Sequence, residues 1–264
     1  MTGSHRHAIK ENHSGFTLVE IAMVMFIIAL LLAGLVPAIT AQLEQQRTNE
    51  TRKQLNEIQE ALIGFAIVNG RLPCPAKANL NTTAFNAGKE AYNGTDCTCN
   101  IAGSPVADIV TVCTLSTVTG VLPWATLGLK ETDAWDHRFT YRVTKPYADP
   151  IAAGTTDCSP ALPPVASSFA LCSPGLLNVL SANTGGTSVA ANMPAIIVSH
   201  GKNGFGAYTS TGSQLAAGSA DEQENSNGDN SFVSHNPTSS FDDLVAWTVP
   251  GILFNRMIAA GKLP

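Results

Sequence analysis

Charge is scarce in this chain. Only 13% of its 264 residues are Asp, Glu, Lys or Arg, the net charge is −5, and no stretch gathers basic side chains. Nucleic-acid binding takes most of its affinity from clustered Lys and Arg that neutralise phosphates, so no nucleic-acid partner is expected. Catalytic signatures are missing too. The sequence holds no G-x-S-x-G nucleophile elbow and no H-E-x-x-H zinc-protease pair. Gly201 and Lys202 lack the upstream glycine and the following Ser or Thr of a phosphate-binding loop. Ser199 and His200 are adjacent, and neighbours on a strand face opposite sides, so they make no nucleophile and base pair. The chain reads as something other than an enzyme, with no cofactor required.

Hydrophobic residues, by contrast, are concentrated. In "SGFTLVEIAMVMFIIALLLAGLVPAI", residues 14 to 39, the acid Glu20 is the one charged residue, and from Ile21 to Leu43 there is none. About 20 apolar residues suffice for a helix to cross a hydrocarbon core, so a transmembrane helix is expected over about 18–41. The leader "MTGSHRHAIKENHSG" carries Arg6 and Lys10 against the single acid Glu11, a bias that keeps it on the cytoplasmic side. Glu20 is the anomaly. A carboxylate costs up to roughly 2.5 to 3.5 kcal/mol at mid-bilayer and less near an edge. Neither a secretory signal cut after Ala38 nor a plain membrane anchor needs it.

Gly15, the following "FTLVE" and the apolar run closely resemble the N-terminus of type IV prepilins and type II secretion pseudopilins. The resemblance implies a leader of residues 1–15, a cut between Gly15 and Phe16 by a prepilin peptidase, and N-methylation of Phe16. It places Glu20 at the family's glutamate, five residues after the cut. It further implies insertion in the bacterial inner membrane as a single-pass protein. The C-terminal domain then lies in the periplasm, and the subunit joins other pilin or pseudopilin subunits in a pilus or pseudopilus. Physical chemistry gives the glutamate a task. The free amine of Phe16 is a cation, and a charge pair in a low-dielectric bundle costs far less than either charge alone. Glu20 of one subunit and Phe16 of its neighbour would thus fix the register of assembly.

Beyond Leu43 the pattern turns amphipathic. Leu55, Ile58, Leu62 and Phe65 recur at spacings of three and four, so the long helix is expected over 16–69 with Gly70 as its stop. A free coiled coil is the competing reading of this second half. Residues 70–264 form the expected globular domain, and with 22 glycines and 15 prolines in the chain that domain reads as rich in loops and strands. Strands are expected at Phe139 to Val143, at Ala195 to Ser199 and around Leu244 to Val249, with a short helix from Pro250 capped by Gly261. The segment "DAWDHRFTY" resembles the "D-P-W-G-N-P-Y" stretch that opens the sheet of major pseudopilins. Asp133, Trp135 and Tyr141 match, while Ala134 replaces the proline and Asp136 the glycine. The expected fold class is α+β and pilin-like: a long N-terminal helix on a small antiparallel sheet, with insertions at 72–118 and 146–192.

The six cysteines, Cys74, Cys97, Cys99, Cys113, Cys158 and Cys172, all follow the apolar run. An even number on one side of a membrane segment points to an oxidising compartment and disulfides. Zinc sites usually show repeated cysteine pairs two to four residues apart, often with His, which Cys97 and Cys99 do not. Six cysteines allow fifteen pairings, and sequence does not choose among them, although Cys158 and Cys172 suit a local loop.

The acidic loop "SADEQENSNGDNSF" offers oxygen ligands of the kind calcium prefers. Asn203, Asp221, Glu222, Glu224 and Asp229 are the candidate ligands, with a solvated acidic loop as the competing reading. Major pseudopilins hold calcium near this point, after a "S-x-G-x-D-G" segment that here reads "SHGKNG". The expected function is that of a filament subunit, with the large globular domain favouring a minor one. A filament-displayed adhesin or ligand-binding minor pilin is the alternative.

Overall fold

A computed structural model describes residues 15, 17–94, 96–99, 111–112, 117–149 and 166–263, and leaves the side chains of 34–38, 99, 111 and 112 outside its account. The chain divides into two units between Gln46 and Arg47. Helix α1, Leu18–Asn69, begins in the first and ends in the second.

In the first unit the large apolar side chains from Leu18 to Leu32 are exposed, Leu18 at 87% and Phe26 at 66%. No helix, counted over the described residues, is long and apolar enough to cross a membrane.

In the second unit, α1 buries Thr51, Gln54, Leu55, Ile58, Leu62, Ile63 and Ala66 along one face. The anticipated face therefore turns by about one position near its end: Phe65 is half-buried and Ile63 and Ala66 carry the contact. The helix packs on the domain, as an amphipathic stripe of this width should. Gly70 stops it in the left-handed region at φ 70°, its N–H donating to the Ala66 carbonyl at 2.8 Å, the usual glycine solution to a helix C-terminus.

Four antiparallel strands form the main sheet in the order β3 (Thr117–Val121), β4 (Thr140–Thr144), β7 (Ala195–Ser199) and β9 (Leu244–Trp247). Tyr141 pairs with Ile197 and Val143 with Ala195. These four side chains join Leu55, Ile58 and Leu62 of α1, and Leu253 and Met257 of the C-terminal helix α4 (Pro250–Ala259), in the principal core. Pro250 stands in the first turn of α4, and Gly261 follows its end at φ 69°. The cap itself is Ala260.

The opposite face of the sheet, with Ile196 and Val198, packs on Leu177, Val179, Met193 and Phe232. Those residues belong to a second sheet, in the order β6 (Ser188–Met193), β5 (Leu177–Leu180) and β8 (Ser231–Val233), in which β5 and β8 run parallel. The segment anticipated as an irregular insertion over 146–192 thus contributes strands. Its polarity is that of an edge: most of β6 is exposed, so burial imposes no apolar pattern on it.

Cys74 and Cys97 form a disulfide within the principal core, both fully buried. Cys172 is also disulfide-bonded. Cys99 contributes backbone to β1 (Thr98–Cys99), which pairs with β2 (Thr111–Val112), while Cys113 and Cys158 lie outside the described residues.

Candidate functional site

Two groups of polar residues stand out, one in each unit. The first opens α1. Gly15 is exposed, Phe16 lies outside the described residues, and Thr17 caps the helix. Thr17 donates to Glu20 Oε2 through its backbone N–H at 2.9 Å and through its hydroxyl at 2.8 Å, and its hydroxyl oxygen accepts from the Glu20 N–H at 3.3 Å. This is a capping box, in which a Thr and the Glu three residues on satisfy each other's backbone donors. The sequence reading overlooked it, although T-x-x-E ahead of an apolar run is its written signature. Glu20 therefore has a local partner within one chain.

The second group gathers carboxylates around the turn after β7. The apolar strand delivers Ser199 and His200 to the interior, and the chain then reverses through "GKNG". Gly201 and Gly204 take φ of 58° and 65°. A Cβ on Gly201 would lie 2.4 Å from the Asp242 carbonyl, and one on Gly204 would strike the His137 ring at 2.3 Å, so both positions need glycine. The reversal sets Asn203 against two chain segments. Its backbone N–H donates to Asp242 Oδ2 at 3.0 Å and its Nδ2 to Glu222 Oε1 at 2.5 Å. Glu222 is itself held by a second capping box, accepting from the Ser219 N–H at 3.0 Å at the start of the short helix α3 (Ala220–Glu224).

Glu222, Asp242 and Asp243 offer carboxylate oxygens all within 4.8 Å of one another. Asp243 is fully buried; its Oδ2 accepts from Asn225 Nδ2 at 2.8 Å, while its Oδ1 and that of Asp242 have no hydrogen-bond partner. Burial pushes the Asp243 carboxyl well above the usual carboxylate range, and the charges of Glu222 and Asp242 push the same way against the Asn225 hydrogen bond. Asp242 is raised for the same leading reason, burial, with Glu222 adding to it. Clustered acids of this kind call for protons or a cation. Two orphaned oxygens beside a third carboxylate fit a hard divalent ion, which takes oxygen ligands and tolerates irregular geometry. The residues that would hold it are Glu222, Asp242 and Asp243.

His200 lines the other side of Asp243. Its Nε2 lies 2.8 Å from Thr140 Oγ1, and its Nδ1 lies 3.8 Å from Asp243 Oδ2, too far for a hydrogen bond. Burial, reinforced by His137, lowers its pKa to about 4, so it is neutral at neutral pH and adds no positive charge to balance the acids.

Of the five ligands expected from sequence, the structure brings together Asn203 and Glu222. The other three do not join them. Asp221 accepts from the Asn183 N–H at 2.8 Å and meets His235 Nε2 at 3.2 Å. Glu224 and Asp229 both accept from Asn227 Nδ2, at 3.0 and 3.1 Å. Asn203 serves as a positioning donor and not as an oxygen ligand, because its Oδ1 accepts from the Phe205 N–H at 2.9 Å. Asp242 and Asp243 were missed. Their signal was a pair of adjacent acids at the foot of an apolar strand, "FDDLVAW".

Ser199 and His200 also separate as their strand geometry requires. Ser199 Oγ donates to Asp133 Oδ2 at 2.6 Å, and His200 turns to Thr140. Asp133 in turn accepts from the Trp135 and His137 N–H groups at 2.9 and 3.0 Å, fastening the turn before β4.

A family model of the prokaryotic N-terminal methylation motif matches residues 11–36, the stretch that includes Gly15, Phe16, Thr17 and Glu20. It does not reach the second unit, so the likeness to the major pseudopilin there rests on the short segments "DAWDHRFTY" and "SHGKNG" alone. No curated protein and no solved structure gave a significant match.

Proposed function

From the type IV prepilin-like signal at its N-terminus, we propose that this chain is a pilin-like structural subunit made for assembly and not for turnover. In this reading residues 1–15 stay on the cytoplasmic side of the inner membrane, and residues 70–264 fold in the periplasm. A prepilin peptidase cuts between Gly15 and Phe16, and Phe16 is methylated. The subunit then enters a type IV pilus or type II secretion pseudopilus beside other subunits, as a minor component.

One observation carries this reading: the Gly15, Phe16 and Glu20 motif heads an uncharged run whose large side chains, Leu18 to Leu32, are all exposed in the single chain. Apolar surface that extensive calls for cover by lipid or by other chains. Glu20 belongs at the start of such a run because it caps the helix while the chain is alone and can turn to a neighbour's amine afterwards. The buried disulfide Cys74–Cys97 supports an oxidising compartment for the second unit.

Mass spectrometry of the mature N-terminus tests the proposal. A prepilin-peptidase host should yield a chain beginning at N-methylated Phe16. A chain beginning at Met1, or at Ile39 after an ordinary signal cleavage, would overturn it.

A further inference from the structure

A cleft of about 480 Å³ lies where β3 and β4 meet the segments 75–79, 206–214 and 226–232. Its volume is in the usual range for small-molecule sites. Its charge is not that of the chain around it. Against a net charge of −5 overall, the lining includes two cations, Lys77 and Arg142, and no Asp or Glu.

Arg142 is 5% exposed and sits in the wall. Its Nη2 donates to Thr117 Oγ1 at 2.7 Å and Asn230 Oδ1 at 3.0 Å, and its Nη1 donates to Thr119 Oγ1 and the Gly228 carbonyl. All four acceptors are uncharged. The Nε N–H is buried without a partner, and no carboxylate among the described residues forms an ion pair with the guanidinium. Asp229 acts on its charge only at longer range, with its own oxygens held by the Ser231 N–H and Asn227 Nδ2. A buried cation normally has an anionic partner. Further along the lining stand Lys77, Tyr208 and Gln214, whose Nε2 donates to the Gly206 carbonyl at 3.2 Å.

We propose that this cleft is a binding site for an acidic sugar, a hexuronate unit whose carboxylate is drawn to Arg142 and Lys77. The remaining lining favours a hydroxylated ring over a bare anion. Tyr208 and Gln214 supply a hydroxyl and an amide for sugar hydroxyls, and the half-buried ring of Tyr208 supplies the apolar surface on which a pyranose face rests. The site stands whether or not the chain enters a filament, since it is built wholly from the second unit.

Isothermal titration of the full chain in detergent micelles, at fixed ionic strength, tests the assignment with sodium glucuronate, glucose and acetate as probes. Arg142 holds β3 to the segment 228–230, so the variants chosen are Lys77→Gln and Tyr208→Phe, whose side chains carry no such hydrogen bonds. Glucuronate should bind saturably, with glucose and acetate each at least about tenfold weaker, or roughly 1.4 kcal/mol. Each variant should weaken glucuronate several-fold at an unchanged melting temperature. Absence of saturable glucuronate binding, or glucose binding equally well, overturns the anion site. Acetate binding equally well overturns the sugar, and unaltered affinity in both variants overturns the location.

Discussion

Thr17 and Glu20 close a reciprocal cap at the start of α1, the Thr17 N–H and hydroxyl both donating to one oxygen of the glutamate. The acid is thereby provided for before any second subunit arrives. Two roles, cap and register, can be separated because they use different partners.

Replacing Thr17 with Ala should remove the hydroxyl's part of the cap, at a cost of about 1 kcal/mol to the first turn, while the backbone N–H bond to Glu20 remains, and still leave Glu20 free to pair with a neighbouring amine. Filaments sheared from cells should persist in that variant. Replacing Glu20 with Ala should spare insertion and cleavage but abolish filaments. If the two variants lose filaments equally, the cap is the whole role of Glu20; normal yield from the Glu20 variant would refute the register argument.

Asp243 makes the acid cluster testable by calcium and pH together. Its carboxyl is raised by burial, so the bound proton stabilises the fold in acid, and that contribution is lost as pH rises through the folded-state pKa. A divalent cation bound by Glu222, Asp242 and Asp243 would take the proton's place. Thermal melting should therefore show a calcium increment that is negligible in acid and grows toward neutral pH. At about 100 times the dissociation constant it should reach about 2.7 kcal/mol, several degrees for a domain of this size. In chelator, Asp243→Asn should match the parent in acid, exceed it increasingly as pH rises, and lose the calcium response. His200 titrates in the opposite sense. Its pKa is lowered to about 4, so stability falls as pH drops from 6.5 toward 4, and this acid limb should survive in the Asp243 variant. A calcium increment independent of pH would sink the assignment.

The parts of the fold that were legible in sequence are those whose burial is local. The uncharged run and Gly70 delimit α1, and the continuous apolar β7, buried on both faces, announces itself in "AIIVS". Strands β5 and β6 were hidden because β6 is mostly exposed and β5 pairs with β8, some fifty residues away in sequence. The acid cluster was half legible for a similar reason. Glu222 and Asn203 sit in conspicuously polar stretches, but only the tertiary approach of β9 brings Asp242 and Asp243 to them. Sequence proximity pointed to Asp221, Glu224 and Asp229, whose carboxylates take hydrogen bonds from Asn183 and Asn227.

Asp136 is a last case in which residue and backbone disagree. It stands where the "D-P-W-G-N-P-Y" stretch that this segment resembles has glycine, and its φ of 67° is a glycine-like conformation. The turn is held from both sides: the Asp133 N–H donates to the His137 carbonyl at 2.9 Å, and Asp133 Oδ1 accepts from the N–H groups of Trp135 and His137. The left-handed region costs an L-residue roughly 1 to 2 kcal/mol, with Asp among those that visit it most readily. Asp136 is exposed and at the turn's tip, so glycine should relieve that strain while adding some unfolded-state entropy. Asp136→Gly is thus expected to melt at or slightly above the parent temperature. Asp136→Val, branched at Cβ, should melt several degrees below. The reverse ranking would mean that the Asp136 side chain, and not the backbone turn, is what this position selects.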